Sequence, residues 1–292
     1  MISPLSFESM TYKKLILAFL LFVVSKQGAL ADAAFQLKEA YDPGLKRLSS
    51  LALLNKYVDS LAEVKNISFG GEEEVRLVNT VIENRFYHSY SHYLPEENWL
   101  GYVAGNYVWD HLSAIVIADD ILNYEYGACS QQSIVMMKLL KMRGFKVRKV
   151  GLVGHFTLEV FYNDGWYFYD PNKEPLIQGI KHEELPVLRD NGQLAYAYSN
   201  SMQAEAVNNM FSQIETGNEN EYPAKKARVF HRTTKFLSNE LFTSLLSLVG
   251  IVGFTLVLLK GDKNYYKQNR RRKAGKLVRK VRDKDLVKDL VS

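Results

Sequence analysis

Apolar residues recur at helical spacing through the first third of the chain, then give way to short strand-like runs. Between Leu45 and Val64 the apolar positions Leu48, Leu51, Leu53, Leu54, Val58 and Leu61 recur at helical spacing and predict a helix. Gly70-Gly71 breaks that pattern. Glu72-Glu73-Glu74 then suit a helix N-terminus, so a second helix is expected to about Tyr93, ending near Pro95. A third is expected over Trp99–Leu122. The stretch Cys129–Met142 carries Ile134, Val135, Met136, Leu139 and Leu140 and stops at Arg143-Gly144, the pattern of a buried helix closed by glycine. Two runs rich in β-branched and aromatic residues follow, Phe145–Val153 and Phe156–Tyr162. The turn Asn163-Asp164-Gly165 leads to a third, Trp166–Tyr169. Residues 172–236 are mixed, with a helix expected at Gln203–Ile214 and a polar linker at Glu215–Ala224. The expected class is α+β: a helical N-terminal part, then a central cysteine-bearing helix on a small antiparallel sheet.

Two longer apolar segments change the picture from a plain globular chain to a membrane-anchored one. Lys13-Lys14 precede the run Leu15–Val24, and small residues stand at Ala29 and Ala31, the layout of a signal peptide spanning 1–31. Leu241–Leu259 contains no charge; at 1.5 Å per residue it reaches about 28 Å, enough to span a bilayer. Thirteen Lys and Arg against four Asp make the tail 260–292 strongly basic, although the whole chain carries only +5. By the positive-inside rule this tail is cytoplasmic, and the domain 32–236 faces outward, in the periplasm or outside the cell. Contact with anionic lipid accounts for the tail more simply than nucleic-acid binding does. The preceding part is then mildly acidic, and the whole chain's 47% hydrophobic content excludes a disordered protein.

Cys129 is the only cysteine. It cannot close an internal disulfide, and an exported lone thiol is a liability unless it is buried or used. It opens the central helix, where unpaired N–H groups stabilise a thiolate and can bind an oxyanion. Gly127 leaves room there for a substrate backbone. His155 lies between the first two strands, placed to take the thiol proton and return it to a leaving amine. Asp170, before Pro171, ends the third strand, and the hairpin brings it back toward His155 to orient the imidazole. Taken singly, each has a plainer reading as a core cysteine, a loop histidine or a turn aspartate. Taken together, they fall at a helix start, a strand start and a strand end of one compact unit. His88 and His92, at i and i+4 on an expected helix, have metal-binding spacing but no convincing third ligand. The aromatic stretch 86–102, with Tyr87, Tyr90, Tyr93 and Trp99, suits either a substrate cleft or the core.

The run Tyr126-Gly127-Ala128-Cys129, Leu139-Leu140 to Gly144, Val147–Val150, Gly154-His155, Glu159-Val160 and Trp166 to Asp170-Pro171 resembles the core of the transglutaminase-like superfamily of papain-type cysteine enzymes. The likeness covers residues 124–175 closely and the helical lead-in loosely, and suits a bacterial-type membrane-anchored member. It implies a Cys129–His155–Asp170 triad and acyl transfer through a thioester, with Tyr124, Tyr126 and Trp109 as candidates to complete the oxyanion hole. The implied substrate is a polypeptide or cell-envelope peptide, cleaved or cross-linked without a metal or organic cofactor. The alternative is a catalytically silent binding or assembly module of the envelope that keeps the fold.

Overall fold

The computed structural model describes residues 40–240, with 244, 245, 247–252 and 255. The expected signal peptide 1–31, most of the expected span 241–259 and the basic tail 260–292 lie outside the described residues. No helix among the described residues is long and apolar enough to cross a membrane.

The architecture is α+β. After a short 3-10 turn at Pro43–Arg47 come α1 (Leu51–Lys65), α2 (Glu72–Arg85), α3 (Pro95–Tyr107) and the single turn α4 (Ala118–Ile121). The central helix α5 (Cys129–Met142) leads into β1 (Lys146–Leu152), β2 (His155–Tyr162) and β3 (Gly165–Tyr169). The strand β4 (Ile180–Lys181), helices α6 (Leu185–Asp190), α7 (Gln193–Ala197) and α8 (Ala204–Met210), and β5 (Ile214–Thr216) follow. A last helix, α9, covers 225–240. The sheet is antiparallel, in the order β4-β3-β2-β1-β5.

Local chemistry sets these limits. Ser50 caps α1 through its hydroxyl, which accepts from the Leu53 N–H at 3.3 Å. Gly71 and the three glutamates begin α2 as expected. The β2–β3 turn is Asn163-Asp164, both at positive φ (44° and 56°), the twist that a two-residue hairpin needs.

The sheet is covered on both faces. On one, Val147, Leu158, Val160 and Tyr169 pack against α1, α2 and α5. On the other, Val150, Leu152 and Phe168 meet Leu185, Leu194, Tyr198 and Phe211 from the α6–α8 layer. This explains why β2 is buried along nearly its whole length instead of alternating.

Four expectations need correction. The second helix stops at Arg85 instead of running to Tyr93, because Phe86 turns extended and the following stretch bonds to other segments; Tyr87 bridges Tyr126, and His92 bridges Ala114. His88 and His92 are therefore not on a helix. Trp99–Leu122 is not one helix either: α3 kinks at Asn98 and ends at Tyr107. The chain then doubles back so closely that a Cβ on Gly105 would overlap the Ser113 side chain. The segment 203–214 is helical only over Ala204–Met210, with Ile214 already in β5. Residues 215–224 are no loose linker. Asn220 exchanges bonds with the Val147 backbone, and the Tyr222 hydroxyl donates to the Val116 carbonyl.

The C-terminal end of α5 is clamped by charge. Arg143, buried beside Glu74, donates from Nε to Glu74 Oε1 and from Nη1 to Asp59 Oδ1 (2.7 Å) and Asn55 Oδ1 (2.8 Å). Arg143→Ala strands the buried Glu74 carboxylate and is expected to cost about 3–5 kcal/mol in urea unfolding. A loss below about 1 kcal/mol would show that the clamp is not needed.

Candidate active site

The N-terminus of α5 is held from below by a fully buried arginine. Arg85 donates to the carbonyls of Leu122 (2.6 Å) and Tyr124 (3.0 Å), and to Lys46 and Leu48, fixing the lead-in to the helix. The Gly127 N–H donates to the Tyr87 carbonyl at 2.8 Å. Gln131 does the finer work. Its Oε1 accepts from Ala128 N–H and Ser91 N–H, and its Nε2 donates to the carbonyls of Ser91 and Ile115. Ala128 has no acceptor side chain to return the cap. The Cys129 and Ser130 N–H groups, first in the helix and with no carbonyl one turn below, therefore stay available beside the sulfur.

Gly127 has a different reason from the one expected. A Cβ there would lie 3.0 Å from Gln132 Cγ and 3.1 Å from the Phe86 ring, so the space above it is filled by protein and not left for substrate.

The structure brings Cys129, His155 and Asp170 together. His155 Nε2 lies 2.8 Å from Asp170 Oδ2, and the imidazole also hydrogen-bonds the Cys129 thiol. With Nε2 turned to the carboxylate, Nδ1 is the nitrogen that serves the sulfur. The Phe156 N–H also bonds the sulfur, and the Ser133 hydroxyl donates to the Phe156 carbonyl at 3.3 Å, so the start of β2 is tied to α5 at both places. Hairpin register supplies the third member. Leu158 pairs with Tyr169, which leaves Asp170 one step beyond the ladder and diagonal to His155. Pro171, without an N–H, cannot extend β3.

Asp170 is completely buried and fully bonded. Its Oδ2 accepts from the Tyr198 hydroxyl at 2.9 Å, and its Oδ1 accepts from the N–H groups of Asn172 (3.1 Å) and Lys173 (3.2 Å). Gln178 accepts from the Asp170 N–H and donates to the Asp170 carbonyl and to Glu83 Oε1. Burial of Glu83 raises its carboxyl to about 7.

Charge in the site is set by opposed effects. Burial pushes the Cys129 thiol up, but the hydrogen bond and positive charge of His155, with the Phe156 N–H, bring it below its ordinary value. Burial pulls His155 down, yet the Asp170 charge and hydrogen bond, with the bond to Cys129, raise it to about 10. Burial also works against the Asp170 carboxylate, and His155 holds it below the usual range. Both shifts favour a thiolate beside an imidazolium. Cys129 is only partly buried.

No protein-family model, curated protein or solved structure matches this chain.

Of the tyrosines and tryptophan expected at the oxyanion, Tyr124 commits its hydroxyl to Glu97, and Trp109 is an exposed ring set against His111. Tyr126 is tilted against Tyr87, and its carbonyl accepts from the Ser91 hydroxyl. Tyr90 stands nearest by charge: its hydroxyl bonds Ser130, and the thiolate raises its phenol after burial does. His88 lies 3.2 Å from Glu174, and His92 bonds Ser113 at 2.9 Å, so the two histidines serve different partners. Among the described residues no group of three His, Cys, Asp or Glu is disposed to hold a metal. Sequence reasoning missed Tyr198, and named Tyr90 only as one of the aromatic residues suited to a cleft or the core. The only available signal for Tyr90 was its place in the aromatic stretch, and for Tyr198 there was none.

Alkylation of Cys129 is expected to proceed rapidly below pH 7. The thiol is lowered, so thiolate persists on acidification past its ordinary range; His155 is raised, so the imidazolium survives to about pH 10. His155→Ala should return the reaction to an ordinary thiol profile near pH 8.5. Tyr198→Phe should keep the profile's shape with a smaller shift. Rates against pH, by mass of the adduct, decide; identical profiles in all three proteins would break the assignment.

Proposed function

We propose that this protein is a membrane-anchored, outward-facing cysteine acyl-transfer enzyme of transglutaminase-like, papain-type design, acting on amide or peptide bonds. The observation that carries this is the hydrogen-bonded series Cys129–His155–Asp170, whose carboxylate is buried and whose thiol is not sealed off.

In this reading the Cys129 thiolate attacks the amide carbon, and its electron pair forms the C–S bond as the carbonyl oxygen takes the negative charge. The Cys129 N–H and the Tyr90 hydroxyl receive that charge. As the C–N bond breaks, His155 Nδ1–H passes its proton to the leaving amine, and a thioester remains. His155, now neutral, accepts a proton from water, which attacks the thioester and releases the acid with the thiolate restored. An amine in place of water gives cross-linking. The site opens directly from a partly exposed thiol, which favours hydrolysis. Asp170, held by Tyr198 and two backbone N–H groups, keeps the ring in the orientation that both transfers need.

The anchoring part rests on the uncharged run 241–259 and the basic tail after it. Leu245, Leu248, Val249, Ile251 and Val252, described residues of that run, are all exposed and apolar. Such side chains in lipid carry no penalty, whereas in water they form an adhesive patch.

The test is to incubate full-length protein in detergent with an envelope peptide pool, quench in acid, and look by mass for an acyl adduct on Cys129 that hydroxylamine removes. His155→Ala is expected to lower turnover by about 10³-fold or more, and Tyr90→Phe by about 10²-fold with KM little changed. A wild-type protein that never forms the adduct, while its alkylation is His155-dependent, would contradict acyl transfer.

A further inference from the structure

A groove among the described residues belongs to neither the thiol nor the expected span. Its volume is about 300 Å³, and it lies between the later part of α5, Val147 of β1, and the segment from Asn220 to Arg228 that leads into α9. From α5 it receives Ile134, Met137, Lys138 and Lys141, which share one face of the helix. These positions begin about 8 Å along the helix axis from Cys129 and lie about a third of a turn round it. The groove is therefore not the thiol's own cleft. A volume of this order suits a small ligand.

Its charge is one-sided. Lys138 and Lys141 line it together with Lys225 and Arg228 from the start of α9, in a body that is otherwise mildly acidic. Among the described residues none of these four pairs with a carboxylate. Lys141 donates to the Asn220 carbonyl at 2.9 Å. Glu221, the carboxylate on the groove, accepts from Asn218 Nδ2 at 2.6 Å. Beside Val147 the contrast is plain, because Lys146 is answered within the chain by Glu219 at 3.4 Å.

Arg228 is the most informative member. Its guanidinium lies over the Tyr222 ring, 4.0 Å from the centroid, and its Nε is buried with no hydrogen-bond partner among the described residues. A buried N–H without an acceptor costs stability. Lys225, Lys226 and Arg228 also stand in the first turn of α9, where cations oppose the helix dipole and no acid offsets them. An anion in the groove answers both costs. It accepts from the guanidinium and supplies the negative charge that the first turn lacks.

We propose that this groove is a binding site for a small polyanion, whose clustered phosphate or carboxylate oxygens are held by Arg228 with Lys138, Lys141 and Lys225. Arg228 provides the directional contact, and the three lysines act as point charges. The bound anion joins α5 to the start of α9 and so stabilises the folded chain. The site stands whether or not Cys129 is a nucleophile.

The test is isothermal titration of the full-length protein, in a nonionic detergent at low salt, with pyrophosphate, citrate and deca-glutamate in turn. Pyrophosphate or citrate is expected to bind one equivalent with a dissociation constant below about 1 mM, and to weaken as sodium chloride rises. The tighter of the two identifies the anionic group as phosphate or carboxylate. Arg228→Gln should weaken binding about tenfold or more, and Lys138→Gln about threefold. Lys56→Gln, which removes the same charge outside the groove, should change it little. Urea unfolding without ligand reports whether each variant is folded; should Arg228→Gln fail, Lys138→Gln combined with Lys225→Gln carries the test, with about a tenfold loss expected. No saturable binding of either small anion, binding indifferent to the groove substitutions, an equal loss in Lys56→Gln, or binding of deca-glutamate alone would overturn the site.

Discussion

A carboxylate with no access to water must be bonded on every side, and Asp170 meets that demand from three directions. His155 approaches from the start of β2, Tyr198 from the α6–α8 layer, and two backbone N–H groups from the turn after Pro171. None of these is in place unless the β2–β3 register is correct and the second helical layer is closed over the sheet. The site is therefore a product of the whole fold, although its three central residues span only about forty positions. Removing one bonding partner leaves charge buried without compensation, a heavier loss than the energy of a single hydrogen bond.

The same logic runs through the lead-in to the thiol. Arg85 is buried and, among the described residues, directs its donors to the backbone carbonyls of Lys46, Leu48, Leu122 and Tyr124. Gln131 satisfies donors and acceptors on three segments at once. Both use long side chains to order irregular backbone, which a helix or strand would order by itself. The first N–H groups of α5 have no carbonyl one turn below them, and a developing oxyanion needs donors there.

Sequence patterning disclosed the elements whose side-chain period reflects their own burial. The limits of α5 at Cys129 and Met142, the three main strands, and the order of Cys129, His155 and Asp170 along them were all legible. Residues 86–94 were not, because their aromatic spacing imitates a helix while their hydrogen bonds go to 113–115 and 125–131. Neither were β4 and β5, two and three residues long, which exist only as additions to a sheet edge. Tyr198 could not be singled out among 18 tyrosines, since its role comes from a contact 28 positions away from Asp170. The reason for Gly127 was misread for a similar cause: Phe86 and Gln132 crowd it from outside its local sequence.

The central claim is that Cys129 and His155 rest as an ion pair. Its most direct test is NMR titration of the His155 imidazole from pH 4 to 11, in wild type and in Cys129→Ser. The account predicts an imidazolium that persists in the wild type to about pH 10 and loses part of that persistence when the thiolate is replaced by a hydroxyl. A His155 that titrates near its ordinary 6.5 in both proteins would contradict it.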